Sequence, residues 1–349
     1  MSGFIYSMVK SVIKTGLYGY HKKIVVSGLE HIPKDKPVMF LPNHQSALID
    51  VLLIATDCNR KPYFLTRSDV FKGKLLKGIF SYFQMLPIYR MRDGRDTLSN
   101  NDAIFNSCAD ILSRGEALLL FPEANHNLRR RVRPLSKGFT RILIRTFELY
   151  PDVDIMLIPV GLNYKHADQF PDQVAINYGK AISAKSMYVA NDLNMTSRNL
   201  KNAVSLQLKQ LTTHIPIEQD YDTMVNLLNT KNVDFLNPTE VNNKIRHYTN
   251  EVSNSSDLTN AAKGKSVLRS VFNVLNFPMI IMWHKWLMPK VPEKEFMGTF
   301  RFAFILLVYP LYLLLLFVGL SMALSIKVAL TALVVLVLLN LWFVKKGLN

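Results

Sequence analysis

The sequence predicts an α/β domain with a mostly parallel sheet flanked by helices, followed by a C-terminal transmembrane helical hairpin. Two observations predict the sheet: short apolar runs recur between helical patterns, and several of these runs end directly in polar or basic residues. A third predicts the hairpin, because residues 302–326 and 328–344 form charge-free apolar runs that are each long enough to cross a bilayer. With 349 residues, 49% of them hydrophobic, the chain can build a full core as well as membrane segments.

The first elements are predicted in chain order. Residues 1–24 are expected to form a basic amphipathic helix on the membrane, because Phe4, Met8 and Val12 share one helical face. Packing of that face on the following domain would explain the same pattern. The α/β domain is assigned to residues 25–215. Its helical patterns, whose apolar stripes are expected to be core positions, lie at residues 51–55, 97–113, 137–150 and 200–211.

Four apolar runs are predicted to be buried strands, and chemically useful side chains follow each of them. The runs occupy residues 38–41, 85–89, 117–121 and 155–158. Open α/β sheets bind ligands at the carboxyl ends of their strands, so these side chains are expected to meet on one rim. In chain order they are His44 with Asp50; Arg90 with Arg92; Glu123, Ala124, Asn125 and the basic residues Arg129, Arg130 and Arg131; and Pro159 with Val160.

His44 and Asp50 are the most informative pair. An imidazole can take a proton from an alcohol near neutral pH, and a neighbouring carboxylate fixes its tautomer and stabilises the imidazolium. Alone the pair is weak evidence, since a match at one set spacing is expected by chance in about a third of such chains. A helix-capping histidine and a first-turn aspartate would explain the same residues. His126 is expected to be structural or exposed.

The ordered blocks resemble the PlsC-like glycerolipid acyltransferases over roughly residues 35–185, and their order is more specific than any single block. The resemblance implies a glycerol-3-phosphate acyltransferase-like fold in which His44 and Asp50 are catalytic. A solvated or membrane-facing loop is the alternative for the basic run, and a surface charge is the alternative for Arg90. The other implied roles are acceptor-phosphate binding by Arg90, Glu123, Ala124 and Asn125, an acyl site at Pro159 and Val160, and secondary basic contacts from Arg92, Arg129, Arg130 and Arg131.

Two positions depart from the family pattern. Five residues separate His44 from Asp50 where the family usually has four, so the loop must absorb one residue, which bears on the orientation of Asp50. Ala124 stands where the family usually has glycine, and its Cβ restricts both positive φ and close backbone approach to a phosphate. The second departure bears on the choice of acceptor.

The implied reaction is direct acyl transfer from acyl-CoA or acyl carrier protein to 1-acylglycerol-3-phosphate, giving phosphatidate, with His44 as the base. Glycerol-3-phosphate or another lysolipid is the alternative acceptor, and a catalytically silent membrane scaffold is the alternative of another class. A serine hydrolase is not supported, because no Gly-x-Ser-x-Gly elbow occurs in the chain. No cofactor or metal is expected, since Cys58 and Cys108 lack metal-ligand or disulfide spacing.

Charge and composition indicate the surroundings of this chemistry. A net charge of +16 suits anionic lipid, CoA, acyl carrier protein or nucleic acid, and the apolar hairpin together with the lack of a nucleic-acid motif favours lipid.

Residues 216–270 are interpreted as a small helical appendage and polar linker. Residues 271–349 are interpreted as an interfacial segment with spanning helices at about 302–320 and 328–345. Basic residues outside both spans predict the cytoplasmic (inner) membrane, with the catalytic domain facing the cytoplasm. The oligomeric state is left open.

Overall fold

The computed structural model describes residues 2–70, 78, 80–89, 100–249 and 267–348, so Arg90 and Arg92 lie outside the described residues. Within these ranges the strands form an eight-stranded sheet in the order β1-β7-β6-β2-β5-β3-β4, with β8 also paired to β6. The strands are β1 Lys23–Ser27, β2 Val38–Pro42, β3 Pro62–Arg67, β4 Met85–Ile88, β5 Ala117–Leu119, β6 Met156–Tyr164, β7 Gln173–Tyr178 and β8 Ile182–Ser183.

The sheet is mostly parallel, as predicted. Strands β6, β2, β5, β3 and β4 run in one direction, and β7 and β8 pair with β6 in the antiparallel sense. Strand β1 runs parallel to β7 and forms the opposite edge from β4. The run predicted to end at residue 158 continues to Tyr164, so Pro159 and Val160 lie inside β6 rather than beyond its end.

Helices cover both faces of the sheet because successive strand residues point to opposite sides. Phe40 belongs to the apolar cluster that includes Leu17 and Leu53, whereas Leu41 belongs to the cluster that includes Phe139 and Leu200. The first face is therefore covered by α1 and α2, and the second by α3, α4 and α5. These helices are α1 Ser2–Tyr20, α2 Ala47–Asp57, α3 Asn100–Ser113, α4 Gly138–Leu149 and α5 Leu193–Leu211.

Helix α1 packs on the domain with its second half and leaves apolar side chains of its first half exposed. Its second half packs on the domain, where Leu17 and Tyr20 are buried. Its first half leaves apolar side chains exposed, including Phe4 at 77% and Met8 at 51% of their full exposure. The described part of the predicted appendage contains α6 Tyr221–Thr230 and α7 Pro238–Thr249 around a small apolar core of their own. Residues 250–266 of the predicted linker lie outside the described residues.

The C-terminal segment contains short helices followed by an apolar hairpin. The helices are α8 Val267–Leu275, α9 Phe277–Met282, α10 Met297–Ala323 and α11 Ile326–Trp342. The hairpin turns at Ser325, where the serine hydroxyl accepts a hydrogen bond of 3.3 Å from the Val328 amide. Among the described residues, Lys294–Ala323 and Ile326–Gly347 are long and apolar enough to cross a membrane, and only 6% and 17% of their most apolar windows are buried. Such exposure does not suit the core hairpin of a soluble domain.

Polar contacts fix the hairpin to its surroundings. Asn340 and Asn276 exchange side-chain hydrogen bonds of 2.7 and 2.9 Å, and Asn340 Nδ2 also donates to the Tyr309 hydroxyl at 2.8 Å. Lys345, beyond the end of α11, donates to the Tyr18 carbonyl and, at 2.7 Å, to the His21 carbonyl. The second spanning helix therefore ends against the last turn of α1.

Candidate active site

The loop after β2 is anchored to β6 by the side chain of Asn43. Asn43 Oδ1 accepts a hydrogen bond of 2.7 Å from the Leu162 amide, and Asn43 Nδ2 donates one of 3.1 Å to the Leu162 carbonyl. The Asn43 amide also donates to the Val160 carbonyl at 3.3 Å. These bonds extend the pairing of β2 with β6 by one side chain, and they fix the position at which His44 leaves the sheet.

His44 and Asp50 form the predicted pair. His44 Nδ1 and Asp50 Oδ2 are 2.8 Å apart, and Asp50 is fully buried. The amides of Gln45 and Ser46 donate to the same oxygen at 2.8 Å, and the Tyr164 hydroxyl donates to Oδ1 at 2.6 Å. Since a carboxylate only accepts, Nδ1 of His44 carries the hydrogen and Nε2 keeps a free lone pair. Burial, and then the charge of Asp50, raises the pKa of Tyr164 well above its ordinary value, so the hydroxyl remains a donor.

The extra residue between His44 and Asp50 does not prevent their contact. Ala47, the first residue of α2, has a φ of 40°, a left-handed conformation that is unfavourable for alanine. We infer that the loop absorbs the additional residue at this position. With the two groups 2.8 Å apart, the extra residue does not support the silent-scaffold alternative.

Aromatic rings surround the imidazole of His44. The ring stacks on Phe121 with centroids 3.7 Å apart, and it lies edge-on to His126 at 5.6 Å. His126 in turn contacts Phe296, which precedes α10, at 4.7 Å. Burial, followed by the proximity of His44, lowers the pKa of His126 below its ordinary value. His126 was expected to be structural or exposed, and the structure brings it into the site as a neutral neighbour of His44.

Glu123 pairs with Arg133 of its own loop and contacts the loop that carries His44. Glu123 Oε1 accepts from the Arg133 amide at 2.9 Å, and Oε2 accepts from the Arg133 guanidinium at 2.9 Å. The His44 amide lies 3.4 Å from the same Oε2. The buried charge of Glu123 is thus paired within the protein, so direct acceptor-phosphate binding by this carboxylate stays a prediction with a competing partner.

Ala124 adopts the backbone conformation that a glycine would favour. Its φ is 60°, and both Ala124 and Asn125 are exposed. The Asn125 carbonyl accepts a hydrogen bond from the Arg133 guanidinium. The alanine therefore preserves the turn and adds a methyl group at the solvent-facing side of the loop.

The basic run has two structural members and one exposed member. The Arg130 guanidinium donates to the carbonyls of Tyr164 and Lys165, each at 2.8 Å, and lies 3.6 Å from the Phe235 ring in the appendage. Arg131 donates to the carbonyls of Ile215 and Pro216 at 2.7 and 2.6 Å. Burial lowers the pKa of Arg130 to about 10. These two arginines attach the appendage to the domain, and Arg129 is exposed, with its guanidinium 5.0 Å from the centre of the Tyr221 ring of α6.

Pro159 and Val160 lie beneath the loop that carries His44. Both are buried, and they pair with Leu41 and Pro42 of β2. They support the loop from below, so the predicted acyl-site role would act through the loop or through a rearrangement of it. The structure thus brings together His44, Asp50 and Glu123.

Two further features could receive a ligand. The possible ligand atoms of His126, Glu293 and Glu295 all lie within 4.8 Å of one another, which would suit a divalent cation, although Glu293 is 60% exposed and exposed acidic groups are common without a metal. A cavity of about 180 Å³ lies between the domain and the appendage. Its lining includes Gln45, the neighbour of His44, and Tyr221 of α6.

Tyr164, Asn43 and Arg133 were not predicted to belong to the site. Tyr164 had a readable signal, because Val160, Leu162 and Tyr164 alternate along one strand and all face the cluster that contains Phe40. Extending the predicted strand past residue 158 would have placed the tyrosine on the same face as Val160. Arg133 carried no signal that distinguished it from the other arginines of its run.

Comparison with known proteins matches the first part of this domain. Residues 23–163 match the family model described as Acyltransferase. The chain is 22% identical over 131 residues to glycerol-3-phosphate O-acyltransferase 1 of Saccharomyces cerevisiae, a match covering 36% of this chain and 17% of the yeast protein. It is 26% identical over 159 residues to a chloroplastic 1-acyl-sn-glycerol-3-phosphate acyltransferase of Brassica napus, covering 45% and 43% of the two chains.

A solved structure also resembles the chain. The crystal structure of the 1-acyl-sn-glycerophosphate acyltransferase PlsC from Thermotoga maritima aligns with a TM-score of 0.41 and 17% identity. The alignment covers 60% of this chain and 81% of that one. The sequence matches to the yeast and plant relatives, by contrast, cover less than half of the length of those proteins.

Proposed function

We propose that the chain is a membrane-bound O-acyltransferase of the PlsC-like glycerolipid family that acylates 1-acylglycerol-3-phosphate to phosphatidate, and the match of residues 23–163 to the Acyltransferase family model supports this. The observation that carries the proposal is the buried carboxylate of Asp50, held 2.8 Å from His44 Nδ1 by two backbone amides and one tyrosine hydroxyl. This arrangement supports a histidine base with a fixed tautomer.

In the proposed reaction, Nε2 of His44 takes the proton from the acceptor hydroxyl. The hydroxyl oxygen forms the new ester bond to the thioester carbonyl carbon, and the carbon–sulfur bond breaks. The leaving thiolate then takes the proton from the imidazolium, whose charge Asp50 stabilises while it exists. Acyl-CoA or acyl carrier protein serves as the co-substrate, and no acyl-enzyme forms.

The acceptor phosphate requires cationic partners near this base. Arg90 is the proposed principal contact, and the exposed Arg129 is the secondary contact from the described residues. Glu123 contributes indirectly, because its bonds to Arg133 and its contact with the His44 amide hold the two loops in register. The net charge of +16 also favours anionic substrates and an anionic membrane surface.

An acceptor that already carries an acyl chain is favoured by the position of the site. Leu48, four residues after His44, is 42% exposed, and Phe300 in the first turn of α10 is 37% exposed. Apolar side chains beside the base allow the acceptor's chain to remain in lipid while its glycerol hydroxyl reaches His44. Glycerol-3-phosphate, the acceptor named for the yeast relative, is the second candidate and would not use these side chains.

The proposed location is the cytoplasmic (inner) membrane, with the catalytic domain on the cytoplasmic side. Arg301 near the start of the hairpin donates to the Asp168 carbonyl, and Lys345 at its end donates to the His21 carbonyl. Both ends therefore lie on the same side as the domain, and Lys327 at the turn lies on the other. A cysteine at position 327 should react with a membrane-impermeant maleimide from outside intact cells, and one at position 346 should not; the reverse pattern would invert the topology.

Thiol release tests the proposed function. Purified protein, His44→Ala and the control His247→Ala, an exposed histidine of α7, are supplied with acyl-CoA or acyl carrier protein. Lysophosphatidate, glycerol-3-phosphate, another lysophospholipid or no acceptor is added, and lipid products are identified by mass spectrometry. We expect lysophosphatidate-dependent release that His44→Ala abolishes and His247→Ala preserves.

Other outcomes have distinct meanings. Release that depends on glycerol-3-phosphate would assign the second candidate acceptor. Release that survives in His44→Ala would refute the base assignment. No release with any donor and acceptor would favour the silent scaffold.

A further inference from the structure

The segment that leads into the first spanning helix covers the candidate active site. Residues 293–299 contact both loops of the site. Phe296 packs on His126, and Glu293 lies 3.6 Å from the same imidazole. Gly298 is buried against the loop after His44, since a Cβ placed there would lie 3.1 Å from Ser46 Oγ and 3.2 Å from Ile49 Cδ1. Any side chain at position 298 would therefore press on the start of α2.

Thr299 provides the polar contact of this junction. Its hydroxyl oxygen accepts from the Leu48 amide at 3.1 Å and lies 3.4 Å from the Ile49 amide. The same hydroxyl is 3.4 Å from the Ser46 carbonyl, to which it can donate. The Leu48 amide lies in the first turn of α2, where amides lack a partner within the helix, whereas the Ile49 amide also donates to the Ser46 carbonyl at 3.0 Å. A side chain more than 250 residues away thus caps the helix that carries Asp50.

The N-cap side chain of α2 does not supply this hydrogen bond itself. Ser46 occupies the N-cap position, yet its side chain makes no cap hydrogen bond. Among the described residues, Ser46 Oγ is buried without a hydrogen-bond partner. The first helical residue, Ala47, is also in a left-handed conformation. This turn is therefore under backbone strain and depends on contacts from outside the helix.

We propose that Thr299 is a positioning residue for the His44–Asp50 pair, so that the membrane hairpin completes the catalytic centre. The proposal rests on the proposed acyltransferase function. Thr299 acts through the first turn of α2: by holding the Leu48 and Ile49 amides it fixes Ser46 and Gln45, whose own amides orient Asp50 Oδ2 toward His44. The hairpin then supplies more than an anchor, because its first turn sets the geometry of the base.

Three variants in the full chain, reconstituted in lipid nanodiscs, test this role. Thr299→Val keeps the shape and removes the hydroxyl, and Thr299→Ser restores it. Thr331→Val in α11 is the matched control, since within the described part of the chain that hydroxyl bonds the Lys327 carbonyl of its own helix. We expect Thr299→Val to lower kcat by about 10- to 100-fold with KM changed less than about threefold. Thr299→Ser should recover most of the loss, and Thr331→Val should be unchanged.

Hydrogen exchange gives a readout that does not need turnover. The amides of Leu48 and Ile49 should exchange about tenfold faster in Thr299→Val than in the wild type. In Thr331→Val the same two amides should exchange at the wild-type rate. Unchanged exchange or kcat in Thr299→Val, a serine variant as impaired as the valine variant, or an equal loss in Thr331→Val would overturn the proposal. If the wild-type protein transferred no acyl group, that result would count against the proposed function. Hydrogen exchange at the Leu48 and Ile49 amides would then still test whether Thr299 stabilises the first turn of α2.

Discussion

Replacing Asp50 by asparagine tests the role of its charge separately from its geometry. Three donors, from His44, Gln45 and Ser46, converge on Oδ2, so an asparagine oxygen is expected to take that position. The amide nitrogen would then face the Tyr164 hydroxyl, which can accept as well as donate. Asp50→Asn should therefore keep the tautomer and orientation of His44 and remove only the negative charge.

The size of the effect follows from the separation of the two groups. At an effective dielectric constant of about 20, full charges 2.8 Å apart attract by about 6 kcal/mol. If about half of the imidazolium charge has developed in the transition state, about 3 kcal/mol is lost, which corresponds to a fall of roughly 100-fold in kcat. Asp50→Ala should lose more, because it also leaves buried donors without an acceptor.

The assay is acceptor-dependent thiol release at saturating donor, with Asp57→Asn as the control. Asp57 is a buried carboxylate of the same helix, but it pairs with Lys14 at 2.8 Å and Tyr18 at 3.2 Å, away from His44. Its replacement should leave kcat within about twofold of the wild type. The reasoning would be refuted if Asp50→Asn kept more than about a third of wild-type kcat, or if Asp57→Asn lost as much.

Ala124→Gly should stabilise the protein by about 1 kcal/mol, because glycine adopts a φ of 60° without the Cβ penalty; an unchanged or lower thermal midpoint would contradict this. Burial raises the pKa of Asp172 from 3.8 to about 7, so the folded state holds the extra proton and stability falls as pH rises between these values. Asp172→Asn should therefore raise the thermal midpoint at pH 8 but not at pH 4, and a pH-independent difference would disprove the assignment. Asn340→Leu should cost about 1 kcal/mol because it removes the donor to Asn276 Oδ1, although Asn276 Nδ2 still donates to the Phe272 carbonyl. The double variant with Asn276→Leu should recover part of this cost in chemical unfolding, and strictly additive losses would show that the pair does not interact.

The central strands were predictable because the apolar residues that form each strand are consecutive in the sequence. β2, β5 and β6 are buried on both faces, so each appears in the sequence as an unbroken apolar run. β1 and β7 were not predicted. β1 is short and only partly buried, and the reversed direction of β7 is a property of the connection rather than of its residues.

The same distinction separates the site residues. His44 and Asp50 are six positions apart, so one loop determines their contact and the sequence could suggest it. Tyr164 reaches Asp50 across 114 positions, and Thr299 reaches Leu48 across 251. Those contacts depend on the register of β6 and on how the hairpin docks, which no local pattern encodes. The paired state of Glu123 was missed for the same reason, since Arg133 reaches it only through the shape of the loop.

The contact between Lys345 and the last turn of α1 constrains the order in which the molecule can assemble during synthesis. The two sides of that contact are 324 positions apart, so α1 leaves the ribosome long before its partner exists. The α/β core can form first, in the usual amino-to-carboxyl order. Until the hairpin has been inserted, Leu17 and Tyr20 lack part of their final cover, which includes Phe302 of α10. Before the hairpin is inserted, α1 must therefore occupy a temporary position. Its exposed apolar face suits binding to the surface of the bilayer into which the hairpin is later inserted.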